Sequence, residues 1–265
     1  MNVAILIPAR YSSSRYRGKP LVPLKGASSV AKPLIQRSLE AARRVSGVSG
    51  VFVTTDDERI ADACRDLRVG VIMTSSECRN GTERCAEALP QLHGADLVIN
   101  FQGDALLTPP SFVEALIERM QNDADAQVAT PALRLTSEEV RRLAAEEAAG
   151  RVGGTSVVTD ADGRALYFSK RLIPHLPAAA LDSEMSPIRL HVGVYAYRPA
   201  ALALYAATPP SELEQLEGLE QLRFLDVGVP IAVVDVAPPA YGLRELNNPE
   251  DVAPIEQALR EAGLE

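Results

Sequence analysis

The chain has 265 residues, a formal net charge of −8 and no long uninterrupted apolar run. This length fits one large domain, or one domain that carries a subdomain. An acidic protein binds nucleic acids poorly in general, so we do not expect a nucleic acid as a partner. A membrane-spanning helix needs a long apolar run, which this sequence lacks, so we do not expect a membrane as a partner.

Strand and helix patterns alternate through the first half of the chain. The opening run Val3–Ile7 is continuously apolar, which is typical of a strand buried on both faces of a parallel sheet. The later predicted strands are 50–55, 69–73 and 96–101, and the predicted helices are 29–45, one that starts at 56–58, 82–92, and 111–121 with Ser111 as its cap. This alternation predicts a doubly wound, mostly parallel α/β sheet.

The second half departs from this alternation. Its predicted strands are 127–135, 155–158, 165–168, 191–197 and 231–236, and its predicted helices are 136–149, 212–226 and 249–262. The sequence Asp160–Gly163 is typical of a hairpin turn between two of these strands. We therefore predict an antiparallel part that folds onto the sheet as a subdomain of a single domain.

The cysteines and the N-terminal residues indicate the cellular compartment of the protein. The three cysteines, Cys64, Cys78 and Cys85, are odd in number and match no CxxC metal spacing, which favours reduced thiols. The chain starts directly with a core-strand pattern and lacks the features of a signal peptide. We therefore expect a cytoplasmic protein.

The loop after the first strand is the strongest sign of chemistry. It places Arg10, Arg15, Arg17 and Lys19 among three serines. Open α/β sheets bind ligands at the carboxyl ends of their strands, where this loop is expected. Serine hydroxyls, backbone N–H groups and permanent cations together suit a triphosphate. A solvated basic turn is the alternative, but so many cations in an acidic chain argue against it.

Asp104 is the acidic candidate for the same edge of the sheet. It follows the predicted strand 96–101 in the run Gln102-Gly103-Asp104, where the glycine allows close backbone approach. A carboxylate in that place can hold a Mg²⁺ ion that bridges nucleotide phosphates. A helix-capping aspartate in an ordinary loop is the alternative.

Three further segments each allow two interpretations. Asn80–Arg84 either caps a helix or lines a site. His191, Tyr195 and Tyr197 share one strand face, so they form either the wall of a pocket for a polyhydroxylated ligand or a half-buried face. The charges of Glu220–Arg223 belong either to a site or to the solvent-facing side of a helix.

Together these segments resemble the CTP-dependent sugar-acid cytidylyltransferases, most closely the 3-deoxy-manno-octulosonate (Kdo) cytidylyltransferase family. The resemblance spans nearly the full chain. Its motifs are Ile7–Arg15, Gly18–Leu21, Thr55–Asp56, Met73–Thr74, Gly81–Arg84, Gln102–Asp104, Ala165–Ser169, His191–Tyr195, Leu219–Arg223 and Asn248–Asp251. The resemblance implies a Rossmann-like, mostly parallel sheet with an antiparallel subdomain at about residues 155–228 that makes a homodimer. It also implies that CMP passes from CTP to a 2-keto-3-deoxy sugar acid, with Mg²⁺ as cofactor and pyrophosphate as product.

The resemblance assigns roles position by position. The residues that match CTP-binding positions are Arg10, Ser13, Arg15, Lys19, Thr74, Gly81, Arg84 and Gln102. The residues that match sugar-acid-binding positions are Gln102, His191, Tyr195, Glu220 and Gln221. Asp104 and Asn247 match metal-ligand positions, and the implied catalytic residues are Arg15, Lys19 and Asp104. In this scheme Lys19 and Arg15 stabilise the leaving pyrophosphate.

Three positions depart from the family pattern. Ala105 replaces an acidic residue, Asn247 replaces an aspartate that is a second metal ligand, and Ser156 replaces a lysine. An amide oxygen can coordinate Mg²⁺ but carries no charge, so metal affinity should fall unless Glu245 contributes. The loss of a cation at position 156 favours a changed acceptor.

Three functions therefore stay open at this point. The first is an active cytidylyltransferase for Kdo, and the second keeps the CTP chemistry but uses amino-Kdo, another keto acid or a phosphonate. The third is a degenerate homologue that binds nucleotide without turnover. The intact set of Arg10, Arg15, Lys19 and Asp104 favours an active enzyme.

Overall fold

Ten strands form one mixed sheet within residues 1–13, 15–104 and 106–264, which the computed structural model describes. The first half consists of strand–helix units, as predicted. Its elements are β1 (Val3–Ala9), β2 (Pro23–Lys25), β3 (Ala31–Pro33), α1 (Leu34–Ala42), β4 (Gly50–Thr55), α2 (Glu58–Asp66), β5 (Gly70–Met73), α3 (Gly81–Ala88), β6 (Leu97–Phe101) and α4 (Pro110–Asn122). Strands β2 and β3 form a separate small hairpin.

The second half adds antiparallel strands to the same sheet. Its elements are β7 (Val128–Thr136), α5 (Ser137–Ala148), β8 (Ser156–Thr159), β9 (Ala165–Ser169), β10 (Met185–His191), β11 (Val194–Tyr197), α6 (Pro199–Ala207), α7 (Glu212–Glu217), α8 (Leu222–Asp226), β12 (Ile231–Val236) and α9 (Val252–Glu261). The strand order is β5-β4-β1-β6-β11-β7-β10-β8-β9, with β12 beside β7. Strands β5, β4, β1 and β6 are parallel, and β11 joins β6 in antiparallel sense. The predicted α/β class, a mostly parallel sheet with antiparallel strands, is confirmed.

Strand β1 lies in the middle of the fold and is buried on both faces. Ile5 and Ile7 face the layer that contains α1 and α4, whereas Leu6 faces the layer that contains α3. All three side chains have no exposed surface. Because β1, β4, β5 and β6 run in the same direction, the loops that follow them meet at one edge of the sheet.

The predicted helix 29–45 is too long at both ends, because α1 spans only Leu34–Ala42. Residues Ala31–Pro33 form β3 and pair with β2, and α1 begins only at Leu34. Pro33 cannot donate to a helical carbonyl and disfavours a helical conformation at the residue before it, so the helix starts after it. Ser29 lies in the left-handed region, with φ 61°.

The predicted helix 212–226 is two helices. Gly218 ends α7 in the left-handed conformation, with φ 61°. Helix α8 then starts at Leu222, so Glu220 and Gln221 lie in the turn between the two helices. The break releases both side chains from a regular helix face. The predicted strand 191–197 is likewise two strands, because β10 ends at His191 and β11 begins at Val194.

Ser111 does not cap its helix. Helix α4 starts at Pro110, with Pro109 at the cap position and no side-chain cap. Proline suits the first helical position because it has no N–H group that needs an acceptor.

The three cysteines are free thiols. Burial raises the pKa of Cys64 to about 11, so this thiol stays protonated at neutral pH. Among the described residues, no helix combines the length and the apolar character needed to cross a membrane.

Candidate active site

The basic loop folds back on its own first residues and places Lys19 against Asp104. The Tyr11 carbonyl accepts hydrogen bonds from the N–H groups of Ser13 (3.0 Å) and Gly18 (2.9 Å). Gly18 has φ +73°, a conformation that favours glycine, and it turns the chain toward Lys19. Lys19 Nζ then lies 2.5 Å from Asp104 Oδ2, and both side chains are more than four-fifths buried. The predicted leaving-group cation and the predicted metal ligand are therefore in direct contact.

A segment near the C-terminus reaches the same loop. Arg15 Nη2 donates to Asn247 Oδ1 at 2.8 Å. The N–H groups of Asn247 and Asn248 donate to Asp251 Oδ2 at 2.9 and 2.6 Å, which fixes this segment before α9. Two distant predicted residues, Arg15 and Asn247, thus meet at the edge of the sheet. Arg10 and Ser13 lie in the same loop.

Glu245 brings a second carboxylate to this edge of the sheet. Glu245 is an exposed residue. Its carboxylate accepts a hydrogen bond from Asn247 Nδ2 at 3.5 Å and is repelled electrostatically by Asp104. Partial loss of hydration, followed by repulsion from Asp104, raises the pKa of Glu245 above its ordinary value. Two carboxylates that repel each other favour a cation between them.

The oxygen donors on this side suit Mg²⁺. No three His, Cys, Asp or Glu side chains converge as a metal site in the described part of the chain. Mg²⁺ does not require such a cluster, because it binds one or two carboxylates together with substrate phosphates and keeps several waters. Asp104, Glu245 and the amide oxygen of Asn247 fit that requirement. Arg15 donates one hydrogen bond to this amide oxygen, which has a second lone pair for a metal ion.

The predicted nucleoside residues lie where β4, β5 and α3 meet. Arg84 is 3% exposed, donates from Nη1 to Thr74 Oγ1, and places Nη2 3.4 Å from Asp56 Oδ1. Gly81 opens α3 directly above β6, because a Cβ there would lie 3.1 Å from Asn100 Nδ2. Thr74, Gly81 and Arg84 are therefore close together, and Arg84 holds the ends of three elements in place.

Asn80 confirms the capping interpretation for the start of the segment 80–84. Its Oδ1 accepts the Glu83 N–H at 2.8 Å at the N-terminus of α3. The capping role leaves Gly81 and Thr82 as the residues that present backbone N–H groups at the start of the helix.

Gln102, two residues before Asp104, meets Glu220. Gln102 Nε2 donates to Glu220 Oε1 at 3.4 Å, and the Thr82 N–H donates to Glu220 Oε2 at 3.2 Å. Burial raises the pKa of Glu220 to about 7, although the Thr82 hydrogen bond acts in the opposite direction. The carboxyl group is therefore fixed at the N-terminus of α3, where the helix dipole favours a negative charge.

Gln221 carries a buried donor that has no partner. The Tyr195 hydroxyl donates to Gln221 Oε1 at 3.1 Å. Gln221 is 2% exposed, and its Nε2 has no hydrogen-bond acceptor among the described residues. An unsatisfied buried donor costs about 1–3 kcal/mol, so such a group is expected to meet an acceptor on an ordered water or on a ligand.

His191 presents a neutral ring beside Tyr195. The two ring centres are 5.3 Å apart, and Thr130 Oγ1 lies 2.9 Å from His191 Nε2. The Thr130 hydroxyl donates to the Val194 carbonyl at 2.8 Å, so we assign the Nε2 proton to His191, which leaves Nδ1 as an acceptor. Burial lowers the pKa of His191 to about 3, which keeps the ring uncharged. His191 can therefore accept a hydrogen bond from a hydroxyl group.

Arg223 is not on the solvent-facing side of a helix, so that interpretation of Glu220–Arg223 is wrong for this residue. It is 1% exposed and donates to both carboxylate oxygens of Glu214, at 2.7 and 2.6 Å. It also donates to Glu83 at 3.1 Å and lies 3.8 Å from the centre of the Tyr205 ring. Arg223 thus joins α8 to α3, α6 and α7, directly beside the turn that carries Glu220 and Gln221.

Sequence reasoning missed the residues that support the site from behind. Thr82, Thr130 and Glu214 hold Glu220, His191 and Arg223, respectively. No motif marks Thr130 or Glu214, and Thr82 lies in the motif Gly81–Arg84 without an assigned role, because each becomes important only through a partner far away in the chain. A Thr or Glu at a strand or helix position is otherwise common.

Ser156 uses its hydroxyl for the local backbone. It is 2% exposed, its Oγ accepts the Ile173 N–H at 3.2 Å, and it donates to the Arg171 carbonyl. The lysine that the family pattern has at this position is thus replaced by a group that holds the 171–173 segment. Ala105, the departure beside Asp104, lies outside the described residues.

Comparison with known proteins gives consistent results. A family model described as cytidylyltransferase matches residues 4–231. A 3-deoxy-manno-octulosonate cytidylyltransferase from Maricaulis maris is 39% identical over 264 residues, 99% of each chain. An 8-amino-3,8-dideoxy-manno-octulosonate cytidylyltransferase from Shewanella oneidensis is 39% identical over 262 residues, which are 98% of this chain and 99% of that one. The solved structure of CMP:2-keto-3-deoxy-manno-octonic acid synthetase complexed with CTP has a TM-score of 0.84 at 34% identity and covers 99% of this chain and 100% of that one.

Proposed function

Since this chain belongs to the cytidylyltransferase family, we propose that its active site transfers CMP from CTP to a 2-keto-3-deoxy sugar acid of the Kdo type. The predicted enzyme class, a CTP-dependent nucleotidyltransferase, is confirmed. The acceptor class is inferred from the named relatives, and the buried, unpaired Nε2 of Gln221 supports a polar ligand at this place. Beside it, His191 Nδ1 and the Glu220 carboxyl group can bind the hydroxyls of a sugar. Relatives at equal identity are named for Kdo and for its 8-amino form, so both are candidate acceptors.

The reaction needs positioning and charge neutralisation rather than a protein nucleophile. The anomeric hydroxyl oxygen of the acid attacks the α-phosphorus of CTP and forms a new P–O bond. The bond between the α-phosphorus and the bridging oxygen breaks, and pyrophosphate leaves with that electron pair. The hydroxyl proton is lost to solvent or to a nearby base. Lys19 and Arg15 lie together on the loop and can stabilise the charge that develops on pyrophosphate.

We propose Mg²⁺ as the cofactor of this reaction, held by Asp104 and Asn247 with Glu245 as the second carboxylate. When bound, the ion would neutralise the phosphates and lower the pKa of the attacking hydroxyl. Arg15 and Lys19 would then turn from Asn247 and Asp104 toward the phosphates. In this proposal, the ion pair with Asp104 holds Lys19, before substrate binds, near the place where it would contact the pyrophosphate.

On the acceptor side, three side chains would orient the sugar acid. Gln221 Nε2 would donate to an oxygen of the acid, and His191 Nδ1 would accept from a hydroxyl. Glu220, fixed by Thr82 and Gln102, would accept from a second hydroxyl. Gln102 lies two residues before Asp104, so it can contact both the acceptor and the nucleotide.

The assembly and location of the protein are part of the same proposal. Residues 155–228, which include β8–β11 and α6–α8, would form the subdomain for acceptor binding and dimerisation. In the proposed homodimer, the exposed apolar side chains of this part are candidate contacts, among them Leu166 on β9 (62% exposed) and Leu216 on α7 (75% exposed). The free cysteines fit a reducing compartment, and we propose a cytoplasmic location.

Asn247→Asp is expected to lower the Mg²⁺ concentration that gives half-maximal rate. The substitution adds a charged oxygen ligand and restores the family's usual residue at this position. The measurement is initial rate against Mg²⁺ concentration at saturating CTP and acceptor. Asn248→Asp, the same change one residue later, is the matched control and should leave the requirement unchanged. An unchanged requirement in Asn247→Asp would show that residue 247 is not a metal ligand.

Gln221→Leu is expected to raise the KM for the acceptor about tenfold, which corresponds to one lost hydrogen bond. The dissociation constant for CTP should stay the same, because Gln221 lies on the acceptor side. Steady-state kinetics and calorimetric CTP titration measure the two quantities. Tyr195→Phe removes the hydroxyl that orients Gln221 but keeps the Nε2 donor, so its effect should be smaller. An unchanged acceptor KM in Gln221→Leu would contradict the proposed acceptor site.

A further inference from the structure

The ring of Tyr11 joins the basic loop to helix α2. The guanidinium carbon of Arg59 lies 3.4 Å from the centre of this ring. At that distance a cation is attracted to the face of an aromatic ring. Tyr11 belongs to the loop after β1, whereas Arg59 lies in the first turn of α2. The contact therefore links the loop to a helix that follows another strand.

Arg59 is itself held in place by Asp57. Its Nε and Nη2 atoms donate to the two carboxylate oxygens of Asp57, at 2.9 and 2.6 Å. Asp57 also caps α2 by accepting the Arg59 backbone N–H at 3.0 Å. The fork between Arg59 and Asp57 engages the guanidinium and fixes its plane. Arg59 is therefore held with its guanidinium over the ring of Tyr11.

The same ring packs against Gly18, next to Lys19. A Cβ at Gly18 would lie 3.1 Å from Cε2 and Cζ of Tyr11. The Tyr11 carbonyl also accepts the Gly18 N–H at 2.9 Å. One residue thus contacts both the end of the loop and α2. The ring of Tyr11 therefore contacts both Arg59 and the residue that precedes Lys19.

We propose that Tyr11 and Arg59 are positioning residues that hold the basic loop, and with it Lys19, in the conformation that receives CTP. The proposal rests on the proposed role of this loop in binding the CTP phosphates. Without the contact, the loop would exchange among more conformations, and CTP binding would have to restore the order at a cost in free energy. Neither side chain needs to touch the substrate.

Arg59→Ala is expected to lower kcat/KM for CTP about fivefold, the range expected of an exposed to partly desolvated cation–π contact. The KM for the acceptor and the midpoint of thermal unfolding should not change. Arg65→Ala is the matched control, because Arg65 lies on the same helix, has the same 55% side-chain exposure and also pairs with acidic residues. Arg65→Ala removes the same charge and should leave kcat/KM unchanged.

Variants of Tyr11 test whether Arg59 acts through the ring. Tyr11→Phe keeps the ring and should retain kcat/KM for CTP, whereas Tyr11→Leu should lower it about fivefold. The double variant Tyr11→Leu with Arg59→Ala should be no worse than Tyr11→Leu alone, since coupled residues are not additive. Losses that multiply, or an Arg59→Ala variant that equals Arg65→Ala, would overturn the proposal.

Lys19→Ala separates this inference from the proposed function. If Lys19→Ala is nearly inactive and Arg59→Ala equals Arg65→Ala, the contact between Tyr11 and Arg59 has no positioning role, while the loop still binds CTP. If Lys19→Ala has nearly normal kinetics for CTP, the phosphate-binding role of the loop is wrong, and the positioning proposal is overturned with it.

Discussion

Lys19→Ala is expected to lower turnover by about 10²-fold or more at saturating CTP and acceptor. The ammonium group lies at the end of the basic loop, 2.5 Å from Asp104, where the leaving pyrophosphate gains negative charge in the proposed reaction. A preorganised cation at that place stabilises the transition state more than the bound substrate. Single-turnover rates of CMP-sugar formation measure the chemical step directly.

Lys32→Ala is the matched control for this variant. Lys32 also forms an ion pair, with Glu40 at 3.0 Å, and its side chain is 20% exposed, against 16% for Lys19. It lies on β3, so turnover should stay normal. A Lys19→Ala variant with a nearly normal rate would exclude Lys19 from leaving-group stabilisation.

Arg223→Met is expected to lower the free energy of unfolding by about 3–5 kcal/mol, because breaking a buried ion pair leaves an unpaired charge. The stranded group is Glu214, which is 8% exposed and loses two hydrogen bonds from the guanidinium. The same change should loosen the turn that carries Glu220 and Gln221. Urea-induced unfolding, followed by circular dichroism, measures the effect.

Two further variants give this prediction its reference. Arg142→Met breaks an exposed ion pair with Glu146 on α5 and should cost no more than about 0.5 kcal/mol. Arg223→Met combined with Glu214→Gln removes the stranded charge and should recover part of the loss. An Arg223→Met protein as stable as Arg142→Met would show that the buried network contributes little to stability.

The fold could be predicted where the local pattern decides the structure. The strands Gly50–Thr55 and Ile231–Val236 have the predicted positions, because each is a short β-rich run with clear ends, and β1 begins at the predicted residue but extends past Ile7 to Ala9. Prediction was wrong at Pro33, Gly218 and Gly193, where a helix or strand pattern continues past a backbone break. Apolar spacing alone does not show such a break, since the glycine or proline can also occur within an element.

The contacts of the basic loop could be predicted from the sequence better than the contacts that support the site from behind. The contacts of Lys19 with Asp104 and of Arg15 with Asn247 join residues that the sequence had selected. The burial of Arg223 was not predictable, because it depends on partners in three other helices. The contact of Arg59 with Tyr11 also depends on how α2 lies against the loop. Sequence motifs identify candidate residues, whereas the contacts among these residues depend on the tertiary structure.

Pyrophosphate release tests the central claim most directly. The unmodified protein is supplied in turn with CTP, UTP, ATP and GTP, each with Kdo, 8-amino-Kdo, another keto acid and a phosphonate, in the presence of Mg²⁺. We expect release with CTP, and with a 2-keto-3-deoxy sugar acid as the acceptor. Release with CTP and only a phosphonate would keep the nucleotidyl transfer and overturn the proposed acceptor. If no pyrophosphate is released from CTP with any acceptor, the proposal that this protein is an active cytidylyltransferase is contradicted.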